Sequence, residues 1–142
     1  MSLKALYQET IKKHNLSPIG ADIAFAHTHS AEGYNPSCGD ELDLYFKLTT
    51  AGKIEKIGFQ ADACAICKAS ASMLCEHSHG KSVDSLREDA KHISAAMHTQ
   101  SDIKIASLNA LAGVSAHKTR INCALLPWQT LINALDSAPC EQ

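Results

Sequence analysis

The chain contains no apolar run of membrane length. Its longest hydrophobic stretches are broken by Lys, Asp, His or Gln, whereas a spanning helix needs about 18 apolar residues or more. A membrane partner is therefore not expected. The opening MSLKALYQETIKK lacks the apolar core of a secretory signal, so a reducing cytoplasm is the expected compartment. An excess of positive charge is also missing. The 13 Lys and Arg face 15 Asp and Glu, for a formal net charge of -2, with no basic stripe of the kind that nucleic acid requires. No internal repeat, low-complexity tract or Pro/Ser-rich linker divides the sequence, and residues 1–142 read as a single domain. A P-loop, a dinucleotide fingerprint and a Ser-His-Asp order are absent too. With 45% hydrophobic residues, the chain can build an ordinary core without a metal or disulfide to hold it together.

What the sequence does have is six cysteines, at positions 38, 64, 67, 75, 123 and 140. In a reducing compartment, clustered thiols are more often metal-binding or catalytic than bridged. Cys38, Cys64 and Cys123 lie in the segments NPSCGD, ADACAICKASAS and RINCALLPW, and Asp40 stands two residues beyond the first. Three thiols and a carboxylate suit zinc, iron or an iron-sulfur cluster, and residue types alone do not choose among these. Taken singly, each residue has a plainer reading: a free cysteine is commonly a small buried hydrophobe, Asp40 a loop residue, Arg120 a surface charge. The joint pattern is what points to metal and sulfur chemistry.

Periodicity places these residues on elements. Leu3, Leu6, Tyr7 and Ile11 predict a helix over 3–14, ended by Pro18 and Gly20. Leu42, Leu44, Phe46 and Leu48 alternate with polar residues, and Ile57, Phe59 and Ala61 repeat the pattern after a Thr49–Lys53 loop, which predicts two antiparallel strands. Residues 23–28 offer a weaker third. Ile66, Ala69 and Met73 then mark a helix stopped by Gly80, and Val83, Leu86, Ala90, Ile93 and Met97 another. A short helix is expected over 108–114. The last helix should carry Trp128, Leu131, Ile132 and Leu135, with Pro127 in its first turn. The fold class is α+β: a small three-stranded antiparallel sheet packed against several helices.

In this layout Cys64 opens a helix, where exposed N–H groups favour a thiolate. Cys123 comes just before the final helix, and Arg120 adds positive charge for bound sulfide or persulfide. Cys67 forms a Cys-x-x-Cys pair with Cys64 and is read as a packing residue, with a spare ligand or resolving thiol as the alternative. Cys75 is eleven residues from Cys64, about 16 Å along a helix at roughly 1.5 Å per residue, too far to share a metal. Cys140 reads as an exposed thiol of the tail. His27 and His29 would share a face of the weak strand, where such a pair can bind metal but a solvated face is the plainer reading. His77 and His79 are expected beside the carbonyls of a helix end.

The three cysteine segments, in this order, resemble the U-type iron-sulfur scaffold family, which comprises IscU, SufU and the NifU N-terminal domain. Tyr7, Ile11, His14 and Pro18 fit its opening helix and turn, and the likeness runs over about 7–135. The resemblance implies a SufE/NifU-like, IscU-type fold and a site that receives sulfur from a SufS-like cysteine desulfurase, with iron-sulfur acceptor or carrier proteins downstream. It assigns Cys38, Asp40, Cys64 and Cys123 as ligands of zinc or iron, or of a transient cluster; Cys38 is the expected persulfide acceptor, because its loop reads as the most mobile of the three ligand-bearing segments. Within the family the SufU type is the nearer, because SLNALAGVS precedes RINC and Asn122 stands where the IscU type carries histidine. The Leu-Pro-Pro-Val-Lys motif is missing, so no Hsp70-type chaperone is expected. Ala63 in place of glycine and Cys67 in place of a small residue depart from the pattern. The expected function is iron-sulfur cluster assembly. A zinc-dependent sulfurtransferase that relays persulfide without holding a cluster is the alternative, and a Cys64/Cys67 redox protein is a third possibility.

Overall fold

A computed structural model describes residues 3–137; Cys140 lies outside them. In chain order the elements are α1 (Leu3–Leu16), β1 (His29–Asn35), β2 (Asp40–Leu48), β3 (Ile54–Asp62), α2 (Ala65–Ser78), α3 (Val83–Thr99), a 3₁₀ segment (Ala106–Ala116) and α4 (Lys118–Asp136). The strands form one antiparallel sheet in the order β1-β2-β3. The α+β class with a three-stranded antiparallel sheet is thus the observed architecture.

Alternation along β2 decides which way the sheet faces. Leu42, Leu44 and Phe46 are buried against the helices, while Glu41 and Asp43 point to the other face and are exposed. Because side chains repeat every second residue, Asp40 falls on the inner face with the leucines. It is fully buried.

Two elements differ from expectation. The third strand is His29–Asn35, not 23–28. Residues 23–28 cross beside β2, where the Tyr45 hydroxyl donates to the Ile23 carbonyl and the Thr28 N–H to that of Phe46, at 2.9 Å for the latter. The HSAEGYN stretch carries little local strand signal. Its position is set from outside by α4: a Cβ on Gly33 would lie 2.2 Å from Thr130 Oγ1, so the missing side chain lets the strand approach the helix closely.

The last helix begins at Lys118, nine residues before Pro127, so Cys123 sits inside it rather than ahead of it. Pro127 has no N–H to give the carbonyl of residue 123, the normal cost of an interior proline. Burial of Ile121, Cys123, Ala124, Leu125, Trp128 and Leu131 against β1, α2 and α3 offsets that loss. The buried Ser70 hydroxyl of α2 donates to the Ala124 carbonyl in the same turn. Small residues Ala69, Ser70, Ala71 and Ser72 let α2 pack between α1 and α4. No helix among the described residues is long and apolar enough to cross a membrane.

Candidate metal and sulfur site

Two connections and a helix bring the site residues to one end of the sheet. Residues 36–39 turn between β1 and β2, with Gly39 at φ +71, a left-handed conformation that glycine adopts without strain. The Gly39 N–H closes the turn on the Asn35 carbonyl at 2.9 Å. This places Cys38 over Asp40, the first residue of β2. At the end of β3 the chain enters α2 through Cys64, whose extended backbone makes it the N-cap residue. From α4, Cys123 comes in from beneath.

The ligand atoms of Cys38, Asp40 and Cys123 all lie within 4.8 Å of one another. The Cys123 thiol donates to Cys38 Sγ at 3.2 Å, and Cys38 Sγ lies 3.8 Å from the Thr119 carbonyl. The Cys64 thiol falls outside that tight trio. Its backbone N–H joins the site directly, donating to Asp40 Oδ1 at 2.8 Å. Cys123 and Asp40 are fully buried, whereas Cys38 and Cys64 are partly exposed.

Sequence reasoning passed over one residue. Asn35 pairs with Asp40 in the strand register, is buried, and donates its side-chain amide to Asp40 Oδ2 at 3.2 Å and to Cys123 Sγ at 3.5 Å. It orients two of the three converging donors. The signal was its place at the head of NPSCGD.

The electrostatics follow from burial and these bonds. Burial opposes ionisation of Asp40, but the Cys64 N–H and hydrogen bonds from Cys123, Asn35 and Cys64 outweigh it and hold the carboxyl below its ordinary value. For Cys123, burial and then hydrogen bonding with Cys38, Asp40 and Cys64 push the thiol up. Arg120 reaches the group from the surface. A hydrogen bond with Cys123 and the charges of Cys64, Cys123 and Cys38 raise its pKa further. A shared cation fits this donor set: two or three sulfurs and a hard carboxylate suit zinc or iron, and only a positive charge makes the buried thiol of Cys123 easy to deprotonate.

The other candidates lie elsewhere. Cys67 is fully buried, and burial, aided by Asp40, Cys64 and Cys38, pushes its thiol up to about 12, unlike a working redox thiol. Cys75, also raised to about 12 by burial, packs beside Gly20. His29 is buried at the start of β1 and stacks on Phe46 at 5.2 Å, while His27 lies 5.6 Å from Tyr45, so they do not form the solvated strand pair expected of them. His77 pairs with Asp89 of α3 at 2.7 Å instead of with helix carbonyls. His79 is the C-cap residue of α2.

An α+β domain with buried thiol and carboxylate donors at the strand ends defines a class of metal and sulfur proteins. The chain matches the NifU-like N terminal domain family over residues 6–135, and it belongs to that family. It is 31% identical to the zinc-dependent sulfurtransferase SufU of Bacillus subtilis, over 92% of this chain and 89% of that protein. It is equally similar, at 31%, to the iron-sulfur cluster assembly scaffold protein IscU of Thermotoga maritima, over 95% of this chain and 96% of that one. Among solved structures, a putative iron-sulfur cluster assembly scaffold protein for the SUF system from Fervidobacterium islandicum aligns with a TM-score of 0.77 at 31% identity, covering 95% of this chain and all of that one. A NifU-like protein from Brucella abortus aligns at 0.84 with 18% identity, covering 94% of each chain, and shares the fold.

Proposed function

We propose that this protein takes part in iron-sulfur cluster assembly, accepting sulfur from a SufS-like cysteine desulfurase at a site that holds a metal or a nascent cluster. The convergence of Cys38, Asp40 and Cys123, with Cys64 tied to Asp40 by its backbone, carries this reading. Cys38, Asp40, Cys64 and Cys123 are the metal ligands. Zinc or iron there would keep buried thiols deprotonated and poised.

Cys38 is the acceptor because it is the partly exposed thiol on the turn, set against the buried Cys123. Its thiolate attacks the outer sulfur of the donor's persulfide, the donor's S–S bond breaks, and the donor leaves as a thiolate with the new S–S bond on Cys38. Arg120, facing the thiols from the surface, offsets the negative charge of the persulfide. Cytoplasmic iron-sulfur acceptor or carrier proteins are the expected recipients.

A second reading uses the same site as a zinc-dependent relay that never holds a cluster. The 3₁₀ segment Ala106–Ala116, which contains the SufU-like SLNALAGVS, favours it. Incubation with a cysteine desulfurase and cysteine, followed by intact-mass and peptide analysis, tests the common core of both readings. One added sulfur on Cys38 is expected, and none on a Cys38→Ser variant. Anaerobic purification with metal analysis and a visible spectrum then separates zinc from a cluster.

A further inference from the structure

Beside the thiol site the surface carries a groove that none of this chemistry has used. It lies between α1 and the 3₁₀ segment and has a volume of about 600 Å³. Tyr7 and Ile11 form one wall, Val114 and Gly113 the other, and Ile66 of α2 closes the inner end. The Tyr7 ring is fixed there, its hydroxyl accepting from Asn109 Nδ2 at 2.6 Å. Two cations mark the rim, Lys12 and Arg120, both exposed.

The groove leads to the site. Ala65, Ile66, His117 and Arg120 line both it and an adjoining recess whose remaining walls are Cys64 and Thr119. The Thr119 carbonyl is the group against which the Cys38 thiol rests. Anything seated in the groove therefore ends at Cys64 and at the carbonyl beside Cys38.

We infer that this groove docks an extended segment of the sulfur-donating protein, one that places an apolar side chain between Tyr7 and Val114 and a carboxylate near Lys12 and Arg120, and so delivers the donor persulfide into the recess. The inference rests on the sulfur-accepting reading above. An apolar floor supplies burial, and the cationic rim at the thiol end supplies charge complementarity and direction. No carboxylate belongs to the groove lining, so the rim is unbalanced and selects an anionic partner.

Gly113 provides the test. It is exposed on the groove wall, and a Cβ there would meet only Tyr7, at 3.5 and 3.8 Å, ordinary contact. Gly113→Gln should therefore fold and fill the groove, while Gly113→Ala leaves most of it open. Lys12→Glu reverses the rim charge on an exposed helix position and serves as a second variant should Gly113→Gln fail to fold. Each protein is loaded with sulfur from a SufS-like cysteine desulfurase and, separately, from inorganic polysulfide, and its metal content is measured.

Gly113→Gln and Lys12→Glu should raise the desulfurase concentration for half-maximal persulfidation at least tenfold. Maximal rate, polysulfide loading and metal content should stay within twofold of wild type, and Gly113→Ala should match wild type throughout. Unchanged desulfurase dependence in both variants overturns the docking inference and leaves the sulfur-accepting reading standing. Parallel loss of polysulfide loading also overturns it, placing the effect at the thiols. If wild-type protein takes sulfur from neither source, both fall together.

Discussion

Asp40 does two jobs with one carboxylate. Oδ1 accepts the Cys64 N–H that starts α2, and Oδ2 accepts Asn35, so the side chain fastens turn, strand and helix before any metal is considered. Asp40→Ala should lose about 1.5–3 kcal/mol of metal-free stability, the usual value of hydrogen bonds to a charged group. Three cysteine ligands remain, so much of the metal should stay, but sulfur uptake and cluster release should slow because the one exchangeable hard donor is gone. Metal content and both transfer rates measured on one sample check this, and unchanged rates would reduce Asp40 to a structural residue. Asn35→Ala should weaken metal binding by about 10- to 100-fold, as loss of a ligand-orienting partner generally does, read by competition with a chromogenic chelator. Cys67→Ala should keep at least half the desulfurase-dependent activity, since that thiol is buried and protonated; complete loss would put the redox reading first. The convergence of Cys38, Asp40 and Cys123 was legible because each sits in a distinctive motif. Asn35 was not, although it opens one of those motifs. Its role depends on being opposite Asp40, and that register requires a strand that local preference does not reveal.

Among the elements, those legible in the sequence were the ones with strong periodicity. β2, β3 and α3 bury residues at the spacing their sequences show. β1 and α4 owe their places to each other. A Cβ on Gly33 would overlap Thr130 Oγ1 at 2.2 Å and press on Leu126 Cδ1 at 3.1 Å, and the Thr130 hydroxyl is already committed to the Leu126 carbonyl at 2.7 Å. Gly33→Ala should therefore cost about 1–3 kcal/mol, as overpacking does, and the loss should appear as a lower urea midpoint with an unchanged slope. A midpoint equal to wild type would mean that β1 and α4 are less tightly apposed than described. Pro127 misled for a similar reason: a rule about helix starts yields when ten residues of one helix are buried.

Over the whole molecule, a half-buried histidine couples the frame to pH. His14 Nδ1 lies 2.7 Å from the Ser72 hydroxyl, which also accepts the Ile19 N–H at 2.8 Å, so α1, the turn after it and α2 meet at one oxygen. Burial lowers the pKa of His14, with Glu76 opposing and Lys13 assisting, and burial lowers that of His29. The unfolded chain then binds more protons than the native one near neutrality. Stability is full above the unfolded value of about 6.5 and declines as pH falls through the depressed native values. Urea midpoints of metal-free protein should drop as pH falls below about 6.5, and His14→Gln should flatten part of that slope; a flat wild-type profile would contradict it. The central claim is that four residues, drawn from one turn, one strand, the head of α2 and the second turn of α4, form a single metal site that does not depend on Cys75 or Cys140. Metal analysis of anaerobically purified wild-type protein and of the Cys64→Ser, Cys123→Ser, Cys75→Ser and Cys140→Ser variants tests it most directly. The account predicts one metal per chain in wild type, retained in the Cys75 and Cys140 variants and sharply reduced in the Cys64 and Cys123 variants, whereas equal losses in all four would contradict it.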